Sequence, residues 1–116
     1  MLIFKIFRPD EWAALRKDGQ TVGAPIDLAD GYIHFSTASQ AEETAAKHFA
    51  NAGDLMLIAV EAEPLGDDLK WEASRGGQLF PHLYRPLRMQ DVHWAQPLPQ
   101  KGDRHEFPAG LSEAGA

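Results

Sequence analysis

Gly31-Tyr32-Ile33-His34-Phe35-Ser36-Thr37-Ala38-Ser39-Gln40 is the stretch on which the reading of this chain turns. If residues 32–36 are extended their side chains alternate, so Ile33 and Phe35 face a core while Tyr32, His34 and Ser36 line the opposite side. Thr37-Ala38-Ser39-Gln40 then fits a capping box, whose end residues satisfy two orphan backbone donors and open a helix. That helix runs through Ala46 and Phe49 to a stop near Gly53. A strand with a polar face therefore points at a helix N-terminus.

Working outward, Leu2-Ile3-Phe4-Lys5-Ile6-Phe7 is rich in β-branched and aromatic residues and reads as a strand. Pro9 suits the first turn of a helix, with Asp10 and Glu11 near its positive end, Trp12 and Leu15 on its buried face, Arg16 and Lys17 in its last turn and Gly19 as terminator. Residues 20–30 hold Gly23, Pro25 and Asp30 and read as a connection with room for a short strand. Leu55–Val60 is apolar at odd and even positions alike, the mark of a central strand covered on both faces. Residues 64–68 form a turn, 69–72 a short strand and 74–78 a glycine-bearing loop; Pro81 and Pro86 hold residues 80–86 extended, and 92–95 make the last strand. Beyond it, Pro97, Pro99, Gly102, Pro108, Gly110 and Gly115 stand among charges, a composition poor in groups to bury. The expected organisation is one globular α+β domain over residues 1–96, with small mixed or antiparallel sheets and two main helices, followed by a loose tail at 97–116. There is no internal repeat.

Composition bounds the chemistry. The 116 residues are 44% apolar, with 11 Lys+Arg against 17 Asp+Glu for a formal charge of −6, which describes one small, mildly acidic domain. A chain of this length removes roughly two-thirds of its unfolded surface from water, enough for one core and a site on one face of it. The absence of cysteine excludes disulfides, thiolate metal ligands and cysteine nucleophiles. No apolar run approaches the roughly 20 residues of a membrane-crossing helix. Residues 1–7 carry Lys5 in their middle and lack the features of a secretory leader, so a cytoplasmic protein is expected. Net acidity argues against a nucleic-acid partner, although Arg75, Arg85 and Arg88 leave room for a small basic patch.

Three clusters can carry chemistry: Tyr32, His34 and Ser36; Trp71 and Glu72 before the glycines; and His82, Tyr84 and Arg85 between prolines. Each also has a plain structural reading. A strand histidine is more often a hydrogen-bonded structural group, and Ser36 is equally a helix cap. Glu72 can be a solvated carboxylate, and residues 82–84 a stiff surface loop; His48 and His93 read as structural or surface groups, and His105 falls in the tail. Against these stands the recurrence of polar groups at spacing two, which lets the three clusters face one pocket. A serine hydrolase lacks its Gly-x-Ser-x-Gly elbow, and a zinc site from His34, His82 and Glu72 lacks ligand spacing, so no metal is expected. A pocket of aromatic faces, imidazoles, hydroxyls, one carboxylate and one arginine suits a flat ring joined to a sugar and phosphate. A small-molecule nucleotide is the expected ligand, and a non-catalytic module that binds a metabolite or a protein is the rival.

At Ile3-Phe4-Lys5-Ile6, Gly31–Thr37 with Gln40, Leu69-Lys70-Trp71-Glu72 and Phe80-Pro81-His82-Leu83-Tyr84 the chain resembles the bacterial DUF952 family, over about the first 95 residues. That family is similar to the ADP-ribosyltransferase superfold, which includes NAD-dependent RNA 2′-phosphotransferases. The resemblance implies a compact core of two small sheets splayed around an NAD cleft. It implies that the Tyr32–Ser36 strand lies beside the nicotinamide ribose and that Glu72 stabilises an oxocarbenium-like centre; with the three clusters read above, the expected catalytic residues are His34, Glu72 and His82 and the expected cofactor contacts Tyr32, Ser36, Trp71, Tyr84 and Arg85. The chain departs from the superfold in offering Lys5 on its first strand, where a His or Arg is usual; the superfold's usual glutamate belongs to a late strand. On this resemblance NAD is the cofactor, and an ADP-ribosyl or glycosyl transferase is the expected activity.

Overall fold

In chain order the elements are β1 (Leu2–Phe7), α1 (Pro9–Asp18), β2 (Gln20–Thr21), α2 (Pro25–Asp30), β3 (Ile33–His34), α3 (Ala38–His48), β4 (Leu55–Glu61), β5 (Leu69–Ala73), β6 (Leu79–Leu83), β7 (Leu87–Arg88), β8 (Val92–Leu98), β9 (Gln100–Lys101) and β10 (Arg104–His105). They come from a computed structural model, which describes residues 1–109 and residue 111. Short 3-10 turns lie at Glu63–Asp68, Arg75–Gly77 and Met89–Asp91. All strand pairs among the described residues are antiparallel, in sheets ordered β1-β4-β8, β3-β6-β5, β2-β7 and β9-β10. The arrangement is α+β, and among the described residues there is no parallel pairing of the kind a mixed sheet requires.

β4 lies between β1 and β8, as its two apolar faces require. One face of this sheet, with Leu2, Phe4, Leu55 and Leu57, packs on Ala38, Ala41 and Ala45 of α3; small residues let that helix approach closely. The other face, with Ile3, Phe7, Ile58 and Val60, packs on Leu15 of α1 and on Ile33, Phe35 and Leu83 from the second sheet. A double hydrogen bond joins the two sheets: Phe4 N donates to Ser36 O and Ser36 N to Phe4 O, each at 2.8 Å. Phe35 N donates to Pro81 O at 2.9 Å just beyond it.

α1 begins at Pro9, where Glu11 Oε1 accepts from Arg8 N at 2.8 Å, and ends at Gly19 with φ of 78°. α3 carries the capping contact its sequence predicts, from Thr37 N to Gln40 Oε1 at 3.0 Å. It stops at His48, short of Gly53, because Phe49 turns inward against the first core. The connection at 20–30 holds β2 and a helix not anticipated, α2. Its signal was present in Ala24-Pro25-Ile26-Asp27: proline takes the first helical position, and Asp27 Oδ2 accepts from Ala24 N at 2.7 Å.

The C-terminal segment departs most from expectation. Residues 97–105 are not a loose tail: β8 runs on through Pro97 to Leu98, and β9 and β10 form a hairpin. Pro97 is tolerated because β8 is the edge of its sheet. Gln100 Oε1 accepts from Gly53 N, His105 Nε2 meets Gly53 O at 2.8 Å, and Leu98 and Leu111 enter the first core. The rest of the expected tail, residues 110 and 112–116, lies outside the described residues. No described helix is long and apolar enough to cross a membrane.

Leu98 is 0% exposed, so Leu98→Ala should cost about 2–5 kcal/mol of unfolding free energy, measured by chemical denaturation. A change within about 0.5 kcal/mol would restore the loose-tail reading.

Candidate functional site

β3 and β6 pair so that His34 stands directly opposite His82 and Ile33 opposite Leu83. Pleating sends Ile33 and Leu83 into the second core and both imidazoles out of the other face. The two ring centroids lie 5.4 Å apart. Tyr32 covers both, 4.7 Å from His34 and stacked 4.2 Å from His82, and it reaches Tyr84 at 5.1 Å. His34 and His82 border a cleft of about 730 Å³ whose walls include Phe35, Phe80 and Phe49, with Arg8 and His48 beside them. That volume is the size of a small-molecule site. The guanidinium of Arg8 lies 4.9 Å over the ring of Phe49.

Each imidazole is held by a carboxylate at Nδ1. Asp27 is fully buried; its Oδ1 lies 2.5 Å from His34 Nδ1 and accepts from His34 N at 3.0 Å, while its Oδ2 accepts from Ala24 N and from Lys5 Nζ at 2.8 Å. Burial alone would raise the Asp27 pKa, but the hydrogen bond from His34 and the charge of Lys5 outweigh it and hold the group at about 2. Lys5, also buried, has its pKa lowered by burial, which its attraction to Asp27 only partly offsets. On the other edge of His34, Nε2 stands 2.9 Å from Asp30 Oδ2. Gly23 makes room for this arrangement: its φ is +103°, and a Cβ there would overlap the Asp27 carboxylate.

At the second imidazole, Glu72 Oε1 accepts from Tyr84 Oη at 2.7 Å and lies 2.9 Å from His82 Nδ1. Hydrogen bonds from Tyr84 and then His82 keep the Glu72 carboxyl below its ordinary range, and the same bond pushes the Tyr84 phenol up to about 12. Glu72 is therefore a carboxylate and the Nδ1 proton is donated to it.

The structure thus brings together Tyr32, His34, Glu72, His82 and Tyr84. Other expectations need correction. Glu72 does not border the cleft; it meets His82 at Nδ1 from outside the lining, which does not suit the direct ribose contact expected of it. Trp71 lies on the opposite face of β5, since adjacent strand residues point opposite ways: it pairs with Pro81, whereas Lys70 pairs with His82. Arg85 is not placed to hold a phosphate. It grips Asp91 through two nitrogens at 2.9 and 3.1 Å, donates to Pro86 O at 2.7 Å and borders a separate hollow. Ser36 borders the cleft, but its hydroxyl meets Thr44 Oγ1 at 3.0 Å in the body of α3, and the cap position weighed for it belongs to Thr37. Sequence reasoning missed Asp27, Asp30 and Arg8. Arg8 carried a signal as a cation just past a strand, and Asp27 one as the acidic third residue of a proline-led helix, though neither announced a place at the site.

The family model described as Protein of unknown function (DUF952) matches residues 6–95. The crystal structure of protein CC0527 from Caulobacter crescentus is 50% identical, with a TM-score of 0.92 over 97% of this chain and 99% of that one. The solution NMR structure of CC0527 gives 54% identity and a TM-score of 0.80 over 90% of each chain. No curated protein matches.

Removing the Asp27 charge leaves Lys5 buried without a counter-ion, so Asp27→Asn should lose about 3–5 kcal/mol in chemical denaturation, and adding Lys5→Met should recover part of it. The folded-state pKa of Asp27 lies below its ordinary 3.8. Its contribution is therefore complete above that value and lost as pH falls toward about 2. The wild-type protein should lose more stability than Asp27→Asn across that interval in acid titrations; equal losses would remove Asp27 from its central place.

Proposed function

The chain belongs to the family of proteins of unknown function DUF952, and for it we propose the binding of NAD or a related nucleotide and the transfer of its ADP-ribosyl group. The single observation that carries this reading is the pair of imidazoles, each fixed at Nδ1 by its own carboxylate, at one aromatic-walled cleft. Rings orient a flat base, and hydroxyls and imidazoles meet a ribose. Arg8 takes over the part first given to Arg85, as the guanidinium at the cleft that pairs with a diphosphate.

Loss of nicotinamide from NAD builds positive charge on the anomeric carbon, and a nearby carboxylate lowers that barrier. Asp30 borders the cleft beside His34 and is the group for this role in place of Glu72. Asp27, out of contact with solvent, fixes the orientation of His34, as supporting carboxylates do for imidazoles elsewhere. The kinship with the ADP-ribosyltransferase superfold, read from the sequence, supports the reaction class; the chemistry itself rests on the site.

NAD or ADP-ribose at about 100 times its dissociation constant should stabilise the protein by roughly 2.7 kcal/mol in a thermal-shift titration. No shift with NAD, ADP-ribose or nicotinamide would overturn the proposal. His34→Ala should then lower nicotinamide release about 100-fold or more with affinity largely kept. Loss confined to affinity would instead identify a binding module.

A further inference from the structure

Of the four ring nitrogens in the imidazole pair, three are held by carboxylates: His34 Nδ1 by Asp27, His34 Nε2 by Asp30 and His82 Nδ1 by Glu72. The fourth, His82 Nε2, has no hydrogen-bond partner among the described residues, although His82 is only 2% exposed. Buried polar atoms are nearly always paired, and an orphan of this kind calls for an explanation. His82 borders the cleft and Glu72 does not, and Nδ1 is turned to Glu72, which leaves the opposite edge of the ring, with Nε2, as the edge for a molecule in the cleft to meet. Because Glu72 is a carboxylate that can only accept, Nδ1 carries a proton, so that whenever the ring holds a single proton its lone pair is on Nε2.

We propose that His82 Nε2 takes the proton from a hydroxyl nucleophile to which the ADP-ribosyl group passes, with Glu72 and Tyr84 as positioning residues that hold the ring in this tautomer. This rests on the nucleotide reading above and adds to it the class of acceptor. A hydroxyl fits better than an amine. Lysine and arginine acceptors are cationic and would have to be desolvated beneath the Tyr32 ring, whereas water or a sugar hydroxyl arrives neutral. In the step, the acceptor O–H bond breaks and its proton goes to Nε2. The oxygen pair bonds to the anomeric carbon, and the carbon–nitrogen glycosidic bond breaks with its electrons going to the pyridinium nitrogen, so nicotinamide leaves neutral. NAD and an alcohol give the ADP-ribosylated alcohol, nicotinamide and one proton.

Glu72 and Tyr84 are linked to the reaction only through His82. Tyr84 Oη donates to the same Oε1 that receives Nδ1–H, so the phenol fixes the carboxylate and the carboxylate fixes the ring. Neither need touch the nucleotide, and this separates their part from that of His34 and Asp30.

Long-range proton–nitrogen correlation on the full chain with nitrogen-15 histidine, assigned through His34→Gln and His82→Gln, reads this directly. At pH 7 His82 should carry its proton on Nδ1 with Nε2 bare, and the Nε2 signal should move when ADP-ribose, which has free ribose hydroxyls, is added. Glu72→Gln should release the tautomer without unfolding the chain. A His82 protonated on Nε2 overturns the proposal with or without ligand. If ADP-ribose moves other cleft signals while Nε2 stays still, the base role falls and the nucleotide reading stands; if it moves nothing, both fall. In turnover, His82→Gln should reduce nicotinamide release about 10²- to 10⁴-fold while the dissociation constant for NAD changes little. Equal loss in both would also overturn the assignment.

Discussion

Everything near the cleft depends on one carboxylate kept charged out of contact with water. An isolated ionised Asp27 would cost several kcal/mol to bury, and it persists only because four donors from three parts of the chain converge on it. Lys5 reaches it from β1, Ala24 from the start of α2, and His34 supplies both a backbone and a ring nitrogen from β3. The group therefore does for the cleft what a core does for a sheet: it fixes the relative placement of separate elements. Direction matters as well as energy, since hydrogen bonds set the orientation of His34, which apolar packing alone leaves free to turn.

The junction of the two three-stranded sheets is the second constraint. Phe4 and Ser36 exchange both backbone hydrogen bonds, and their neighbours Lys5 and Phe35 carry the chain into the cleft wall. β1 thus serves two masters. Leu2, Phe4 and Ile6 lie in one core, Ile3 and Phe7 in the other, and Lys5 shares the parity of the latter while ending on a buried ion pair. A strand buried along its whole length tolerates a lysine only where a charged partner is waiting.

Much of this was legible in the chain itself. The alternation in residues 32–36 gives the side of the sheet for Tyr32 and His34, and the spacing of His82 and Tyr84 gives theirs. The two-faced apolar pattern of Leu55–Val60 places β4 in the middle of its sheet. Trp71 illustrates a rule applied incompletely, because two adjacent strand residues cannot both face one pocket, and choosing Glu72 already excluded its neighbour. Arg85 and Asp27 failed for a different reason: their partners are Asp91 in one case and Lys5 with His34 in the other, and no local pattern announces them. The final segment misled because proline and glycine counts describe freedom of the backbone, whereas Leu98 and Gln100 are anchored by groups some 45 residues upstream.

Gly23 and Asp27 share one small volume: the glycine has no side chain because the carboxylate occupies the place where one would stand. The coupling runs in one direction. A methyl gained at position 23 would press on the carboxylate and be strained by the left-handed φ, whereas a shorter residue at position 27 would relieve the overlap alone and leave that φ still favouring glycine. Among relatives of this protein that keep the aspartate, glycine is expected four residues earlier, and members without the aspartate should have found a different means of seating the histidine of β3.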